Sequence, residues 1–141
     1  MVELKRQLSV YVRNQPGELA DICALFDQEE ITIIGFTVAD TVDHAVVRFL
    51  VDRPSRAQKV LENEGMLVVD NLVLTVRLDN NLNNIGAVAE TLSEAGINIG
   101  YGYYSISSAG KSTGSLLVAK VSEPRRAQDV LLTGKKRLVA T

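Results

Sequence analysis

The sequence has no tryptophan, only four tyrosines and three phenylalanines, and one cysteine among its 141 residues. A single cysteine excludes an intrachain disulfide and fits a reducing compartment. No apolar run approaches the roughly 20 residues that a transmembrane helix needs. The first residues also lack the apolar segment of a secretory signal peptide. We therefore expect a cytoplasmic protein that neither spans nor enters a membrane.

The charge balance is nearly neutral, with 15 basic and 17 acidic residues and a sequence pI of about 5.4. Such a balance gives no broad positive field for nucleic acid or an anionic membrane surface. An RNA-binding sheet would also need an aromatic cluster on its central strands, and that cluster is missing. We therefore expect no nucleic-acid partner.

Residues for catalysis or metal binding are equally sparse. His44 is the only histidine and has no cysteine companion, which argues against a metal site. Residues 79–84 lack the spaced carboxylates of a calcium loop. Residues 110–114 lack the full glycine and lysine spacing of a phosphate-binding loop. No nucleophile has an evident base beside it, so we expect no enzyme activity, no cofactor and no metal.

The sequence instead contains an internal repeat. Residues 54–61, PSRAQKVL, recur seventy positions later as residues 124–131, PRRAQDVL. Residues 29–33, EEITI, match residues 95–99, AGINI, at an offset of sixty-six. The change of offset predicts a four-residue insertion in the second copy, within residues 107–114. A repeat of this length indicates two similar units, which we assign to residues 1–70 and 71–141.

Hydrophobic periodicity predicts the order β-α-β-β-α-β in each copy. Leu19, Ile22, Cys23 and Phe26 share one face of the first helix, so we expect Cys23 in the core. The predicted strands are 8–12, 31–38, 45–51 and 66–69 in copy one, then 72–78, 97–106, 115–121 and a weak strand 138–140 in copy two. We predict an α+β fold of two ferredoxin-like βαββαβ sandwiches, joined by the short linker Asp70-Asn71. Edge strands 31–38 and 97–106 would pair, placing the copies side by side in an eight-stranded antiparallel sheet with helices on one face.

Two short segments give the chain a family resemblance. Asn14-Gln15-Pro16-Gly17-Glu18-Leu19 joins the first strand to the first helix, and Gly96-Ile97-Asn98-Ile99 opens the second strand of copy two. This arrangement, doubled along the chain, resembles a tandem pair of ACT domains. The resemblance implies a ferredoxin-like regulatory module that binds an amino acid at the interface between two domains. It also implies that the module controls a separate enzyme of amino-acid metabolism, and C₂ symmetry favours a homodimer.

The resemblance assigns the ligand to a pocket between the loop of one domain and the strand of the other. The expected ligand-binding residues are Asn14, Gln15, Pro16, Gly17, Glu18, Leu19, Asn98, Ile99 and Tyr101. The residue chemistry agrees, because the N–H groups at a helix N-terminus attract a carboxylate and Gly17 permits close approach. The matching loop of copy two, residues 79–85, lacks the proline and the glycine. We therefore predict one competent site in each chain.

Simpler interpretations of the same residues remain open. Residues 14–17 are also typical of a turn that only begins a helix. Asn98 also fits the end of a helix-to-strand turn, and Tyr101 fits packing within a strand. The alternative function is a protein–protein interaction module without a ligand.

Overall fold

The computed structural model describes residues 2–78, 84–107 and 114–134. The ten elements, in chain order, are β1 (Val2–Arg13), α1 (Glu18–Gln28), β2 (Ile33–Asp40), β3 (His44–Val51), α2 (Pro54–Asn63), β4 (Leu67–Arg77), α3 (Asn84–Glu94), β5 (Ile99–Ser107), β6 (Gly114–Val121) and α4 (Pro124–Thr133). The strands form an antiparallel six-stranded sheet in the order β2-β3-β1-β4-β6-β5. The predicted α+β class and the alternation of helices with strands are confirmed.

The chain divides into two compact units, which are residues 6–71 and residues 1–5 together with 72–141. Strands β1 and β4 therefore contribute to both units. Each unit has the strand neighbours of a ferredoxin-like sheet.

The unit of residues 6–71 has one apolar core beneath α1 and α2. Alternate residues of β1 and β3, such as Val10 and Val47, face this core and are almost fully buried. Ile22 and Phe26 fill it from α1, and the Phe26 and Phe49 rings meet edge to face with centroids 5.2 Å apart. The period of 3.6 that predicted α1 is thus explained by burial of one helical face.

The second unit has a separate core of the same design, beneath α3 and α4. Leu74 and Val76 of β4 face Leu92 of α3 and Leu131 of α4 within it. Val2 of β1 is also buried in this core. The first residues of the chain are therefore part of the unit that contains the second repeat.

Strand register confirms the repeat and locates the insertion. Leu8 pairs with Phe49 in β1 and β3, and Leu74 pairs with Ala119 at the corresponding positions of β4 and β6. In the two hairpins, Asp40 pairs with Ala45 and Ile106 pairs with Ser115. The second connection is longer by four residues, so the predicted insertion lies between Ile106 and Ser115.

Two expectations about the sheet are wrong for the described residues. The sheet has six strands, because predicted strands 66–69 and 72–78 are one strand, β4, which runs through the expected linker Asp70-Asn71. Strands β2 and β5 stand at opposite ends of the strand order and do not pair within the chain. The predicted strand 138–140 lies outside the described residues.

The length of β1 explains the difference in strand count. β1 has 12 residues, more than one unit needs, and its first residues lie beside β4 in the unit of residues 72–141. The hydroxyl of Thr75 donates to the carbonyl of Glu3, across 3.3 Å. Residues 2–5 thus occupy the place of a fourth strand in that unit. The boundary between the repeats at residues 70 and 71 stays a prediction, because residues 1–5 belong to the same compact unit as residues 72–141.

Candidate functional site

The candidate loop connects β1 to α1 and ends at Gly17. Gly17 has a φ of 94° and is the N-cap of α1, and no side chain caps the helix there. A residue with a Cβ is strained at this φ, whereas glycine adopts it freely. The first-turn N–H groups of a helix have no partner within the helix, so this end of α1 is open to an acceptor.

Asn14 is held against the β2–β3 hairpin. Its backbone N–H donates to the carbonyl of Asp43 across 3.3 Å, and its side-chain amide donates to the carbonyl of Thr41 across 3.2 Å. Thr41 itself closes the hairpin through a hydrogen bond from its N–H to the His44 carbonyl, across 2.7 Å. The hairpin therefore fixes the position of the loop, a support that the local sequence pattern did not predict.

The remaining loop residues differ in exposure, and the groups around them attract opposite charges. Gln15 and Pro16 are exposed, while Leu19 packs on the core and anchors the first turn. The side-chain amide of Gln15 donates to Glu18 across 3.0 Å. Glu18 and Asp21 place carboxylates in the first turn of α1, where the helix N-terminus itself attracts anions. Donors for a carboxylate and acceptors for an ammonium group thus lie close together.

The second predicted half-site lies at the start of β5. The Asn98 N–H donates to the Ser122 hydroxyl across 3.1 Å, and the Ser122 N–H donates to the Asn98 carbonyl across 3.0 Å. Thr32 and Asp52 make the same pair of bonds in copy one. The backbone of Asn98 is therefore fixed while its side chain is exposed.

The structure places the two predicted half-sites in different units. Asn14 to Leu19 belong to residues 6–71, and Asn98, Ile99 and Tyr101 belong to the other unit. Ile99 packs against its own core, and Tyr101 is half-buried and pairs with Lys120 across β5 and β6. Their joint role in one pocket stays a prediction. Residues 79–83 of the second loop lie outside the described residues, so the prediction of a single competent site also stays open.

A groove beside Asn98 was missed at the level of sequence. Its volume is about 430 Å³, and it is lined by Ala89, Ser93, Gly96, Ile97, Asn98 and Ile99. Ala89 and Ser93 come from the exposed side of α3, whereas Val88 and Leu92 face the core. The sequence contains one signal for this groove, which is the pair of small residues Ala89 and Ser93, four positions apart on the exposed side of α3.

The described parts of the chain contain few other groups that could bind a metal ion or react. Residues 2–78, 84–107 and 114–134 contain no group of three or more acidic, histidine or cysteine side chains that would hold a metal ion. Cys23 is half-buried, so its predicted place in the core is only partly met. Burial raises the pKa of the Cys23 thiol, and the nearby Asp27 carboxylate raises it further. Among these residues, no helix has the length and apolar character required to cross a bilayer.

Solved structures with similar folds match most of the chain. Protein BT0572 from Bacteroides thetaiotaomicron superposes with a TM-score of 0.85 at 23% identity, covering 95% of this chain and 90% of that one. The ligand-free regulatory subunit of aspartate kinase from Thermus thermophilus gives a TM-score of 0.62 at 15% identity, covering 94% and 95%. The corresponding subunit from Thermus flavus gives 0.60 at 14% identity, also covering 94% and 95%. At these identities the likeness concerns the fold alone.

Sequence comparison supplies the family. No curated protein matches the chain. A family model described as an ACT domain pair matches residues 4–141, which is nearly the whole chain. The match includes both repeats except for residues 1–3, and it contains the loop of residues 14–19 and the start of β5. The chain therefore belongs to the ACT domain pair family.

Proposed function

We propose that the chain is a regulatory module of two ACT-like repeats, residues 1–70 and 71–141, that binds an amino acid and controls a separate enzyme. The observation that carries the proposal is the left-handed Gly17 at the N-cap of α1, which leaves the helix N-terminus without a side-chain cap. The ligand-binding residues are Asn14, Gln15, Pro16, Gly17, Glu18, Leu19, Asn98, Ile99 and Tyr101. The proposed function requires neither a cofactor nor a catalytic residue.

The chemistry of the loop favours a zwitterion. Backbone N–H groups at the start of α1 would bind the α-carboxylate, because the helix N-terminus carries partial positive charge. Glu18 would accept hydrogen bonds from the α-ammonium group, and charge-assisted bonds are about twice as strong as neutral ones. A free amino acid satisfies both demands, whereas an anion alone would meet Glu18 and Asp21 with like charge.

The two half-sites would be completed by a second copy of the chain. β2 and β5 are the outer strands, and antiparallel pairing of β2 with the partner's β5 would satisfy both edges. Phe36 on β2 and Tyr104 on β5 are about half exposed, and each lies opposite a core residue of the neighbouring strand. In that pairing the hairpin that holds Asn14 would stand beside the Asn98 of the partner. The proposed form is therefore a C₂ homodimer.

The partner enzyme is proposed by analogy. Two similar structures are regulatory subunits of aspartate kinase, which suggests an enzyme of amino-acid metabolism as the regulated partner. A cytoplasmic location fits the single free thiol of Cys23. The alternative is an interaction module that binds a protein and no small ligand. The exposed apolar residues on edge strand β2 favour that alternative, because such residues mark interfaces.

Isothermal calorimetry against the twenty amino acids tests the proposal. We expect selective binding that weakens about tenfold or more in Asn14→Ala and in Asn98→Ala, as each removes a polar contact. Asn63→Ala, at the exposed end of α2, is the matched control and should bind normally. The decarboxylated amine and the corresponding keto acid should each bind poorly. Absence of binding by every amino acid, with the fold intact, would favour the interaction module.

A further inference from the structure

The groove of about 430 Å³ beside the start of β5 lies entirely within the unit of residues 72–141. Its volume falls in the range of about 300–1,000 Å³ that is typical of small-molecule pockets. Asn98, a residue of the proposed ligand site, forms part of its wall. An amino acid held at Asn98 therefore lies next to an open space in the same unit, which its side chain can enter.

The groove combines free polar groups with an apolar base. Ser93 and Asn98 are exposed, and neither the Ser93 hydroxyl nor the Asn98 side-chain amide has a hydrogen-bond partner among the residues that the structure describes. Ile97 is only 4% exposed, and Ile99 packs against the core. This lining suits a side chain with a hydrocarbon stem and a polar end, because the stem covers apolar surface while the end forms hydrogen bonds.

The end of α3 determines which polar group is favoured in the groove. Carbonyl groups at the C-terminus of a helix carry partial negative charge. Ser93 lies in the last turn of α3, which ends at Glu94 and contains no basic residue. A group that donates hydrogen bonds is therefore favoured beside Ser93, and a carboxylate is disfavoured.

The internal repeat argues against a cationic side chain in this groove. At an offset of sixty-six, Ala89, Ser93 and Gly96 correspond to Cys23, Asp27 and Glu30. The corresponding face of copy one is acidic, and the Asp27 carboxylate raises the pKa of the nearby Cys23 thiol. The six residues that line the groove of copy two include no carboxylate. A cation would lose hydration there without gaining a counter-ion.

We infer that the groove binds the side chain of the amino acid and selects a neutral side-chain amide, with Ser93 as the residue that determines specificity. The inference rests on the proposed function and names the ligand class, which is glutamine or asparagine. A side-chain amide donates hydrogen bonds through its NH₂ group and accepts them through its carbonyl oxygen. It therefore pairs with the Ser93 hydroxyl and with the carbonyl end of α3, while its stem lies on Ile97 and Ile99.

Calorimetry with glutamine, asparagine, glutamate, lysine and methionine tests the selection. We expect glutamine or asparagine to bind at least about tenfold more tightly than the other three, because glutamate and lysine add a charge and methionine lacks the hydrogen bonds. Ser93→Ala should weaken binding of the preferred amide about fivefold to tenfold and change methionine binding by less than about twofold. Thr133→Ala is the matched control, since it removes an exposed hydroxyl that bonds only within α4. Circular dichroism establishes that each variant is folded.

Ser93→Asp provides a second test, because it gives copy two the residue that copy one has at the corresponding position. We expect this variant to bind lysine more tightly than glutamine, which reverses the order in the wild-type protein. An equal loss for every amino acid in Ser93→Ala would show that Ser93 only supports the fold, and it would overturn the inference. Tight binding of another class of side chain, unaffected by Ser93→Ala, would overturn the inference and leave the proposed function standing. Absence of binding by every amino acid would overturn both.

Discussion

Gln128 on α4 donates a hydrogen bond from its Nε2 to the carbonyl oxygen of Val2 on β1, across 3.1 Å. Its counterpart in the first repeat, Gln58, accepts a hydrogen bond from the Arg6 guanidinium across 2.7 Å. The repeated motif of the second helix in each copy therefore contacts β1 in both units. The two contacts lie on either side of the point where β1 passes from one unit to the other.

Val2→Asp should destabilise the unit of residues 72–141. Val2 is only 6% exposed and belongs to the core of that unit. Placing a carboxylate there loses apolar burial and adds a desolvation cost, together about 2–4 kcal/mol. Urea denaturation followed by circular dichroism measures the change. Glu3→Ala, at the adjacent exposed position, is the control, and an equal effect in both variants would refute the strand assignment.

Gly17→Ala and Gly86→Ala should change stability in opposite directions. Gly17 has a φ of 94°, so a Cβ adds strain of about 1–2 kcal/mol although space is available. Gly86 lies in α3 with nothing near its absent Cβ, so alanine should stabilise by about 0.5–1 kcal/mol. Thermal unfolding of the two variants tests the pair. Stabilisation by Gly17→Ala would mean that the loop has another backbone conformation.

The sequence pattern predicted those parts of the fold that depend on residues close together along the chain. The spacing of Leu19, Ile22 and Phe26 predicted α1, because a helix buries one face whatever its neighbours are. The loop of residues 14–19 was predicted for the same reason, since its conformation depends on Pro16 and Gly17. The repeat indicated two similar units, and the pairing of Leu8 with Phe49 in one unit matches that of Leu74 with Ala119 in the other.

Long-range contacts were beyond the reach of local pattern. Asp70-Asn71 has the polarity of a turn, yet Asp70 lies within β4 and forms an ion pair with Arg6 at 2.8 Å. Nothing in the sequence near residues 2–5 indicates that they lie beside β4. The hydrogen bond from Asn14 to the hairpin carbonyl of Thr41 likewise joins residues that are distant along the chain. Such partners are chosen by tertiary packing, which periodicity does not encode.

Arg53→Ala should destabilise the first unit. The Arg53 guanidinium donates to the carbonyls of Glu29 and Glu30, across 2.8 and 2.6 Å, at the end of α1. These carbonyls otherwise need water, and charge-assisted bonds to them contribute about 1–2 kcal/mol. Chemical denaturation measures the loss, and Arg53→Lys should recover part of it. Arg125→Ala is the control on the other unit and should change stability by less than about 0.5 kcal/mol.

The Cys23 thiol should react slowly with Ellman's reagent in the folded protein. Burial and the Asp27 carboxylate both raise its pKa, so the thiolate, which is the reactive form, is scarcer at a given pH. Asp27→Asn removes the second cause, and the pKa should fall towards its ordinary value. The labelling rate at fixed pH should then rise, and the rate profile should shift to lower pH. Wild-type protein unfolded in urea gives the unhindered rate at each pH. A profile unchanged by Asp27→Asn would show that the carboxylate does not act on the thiol.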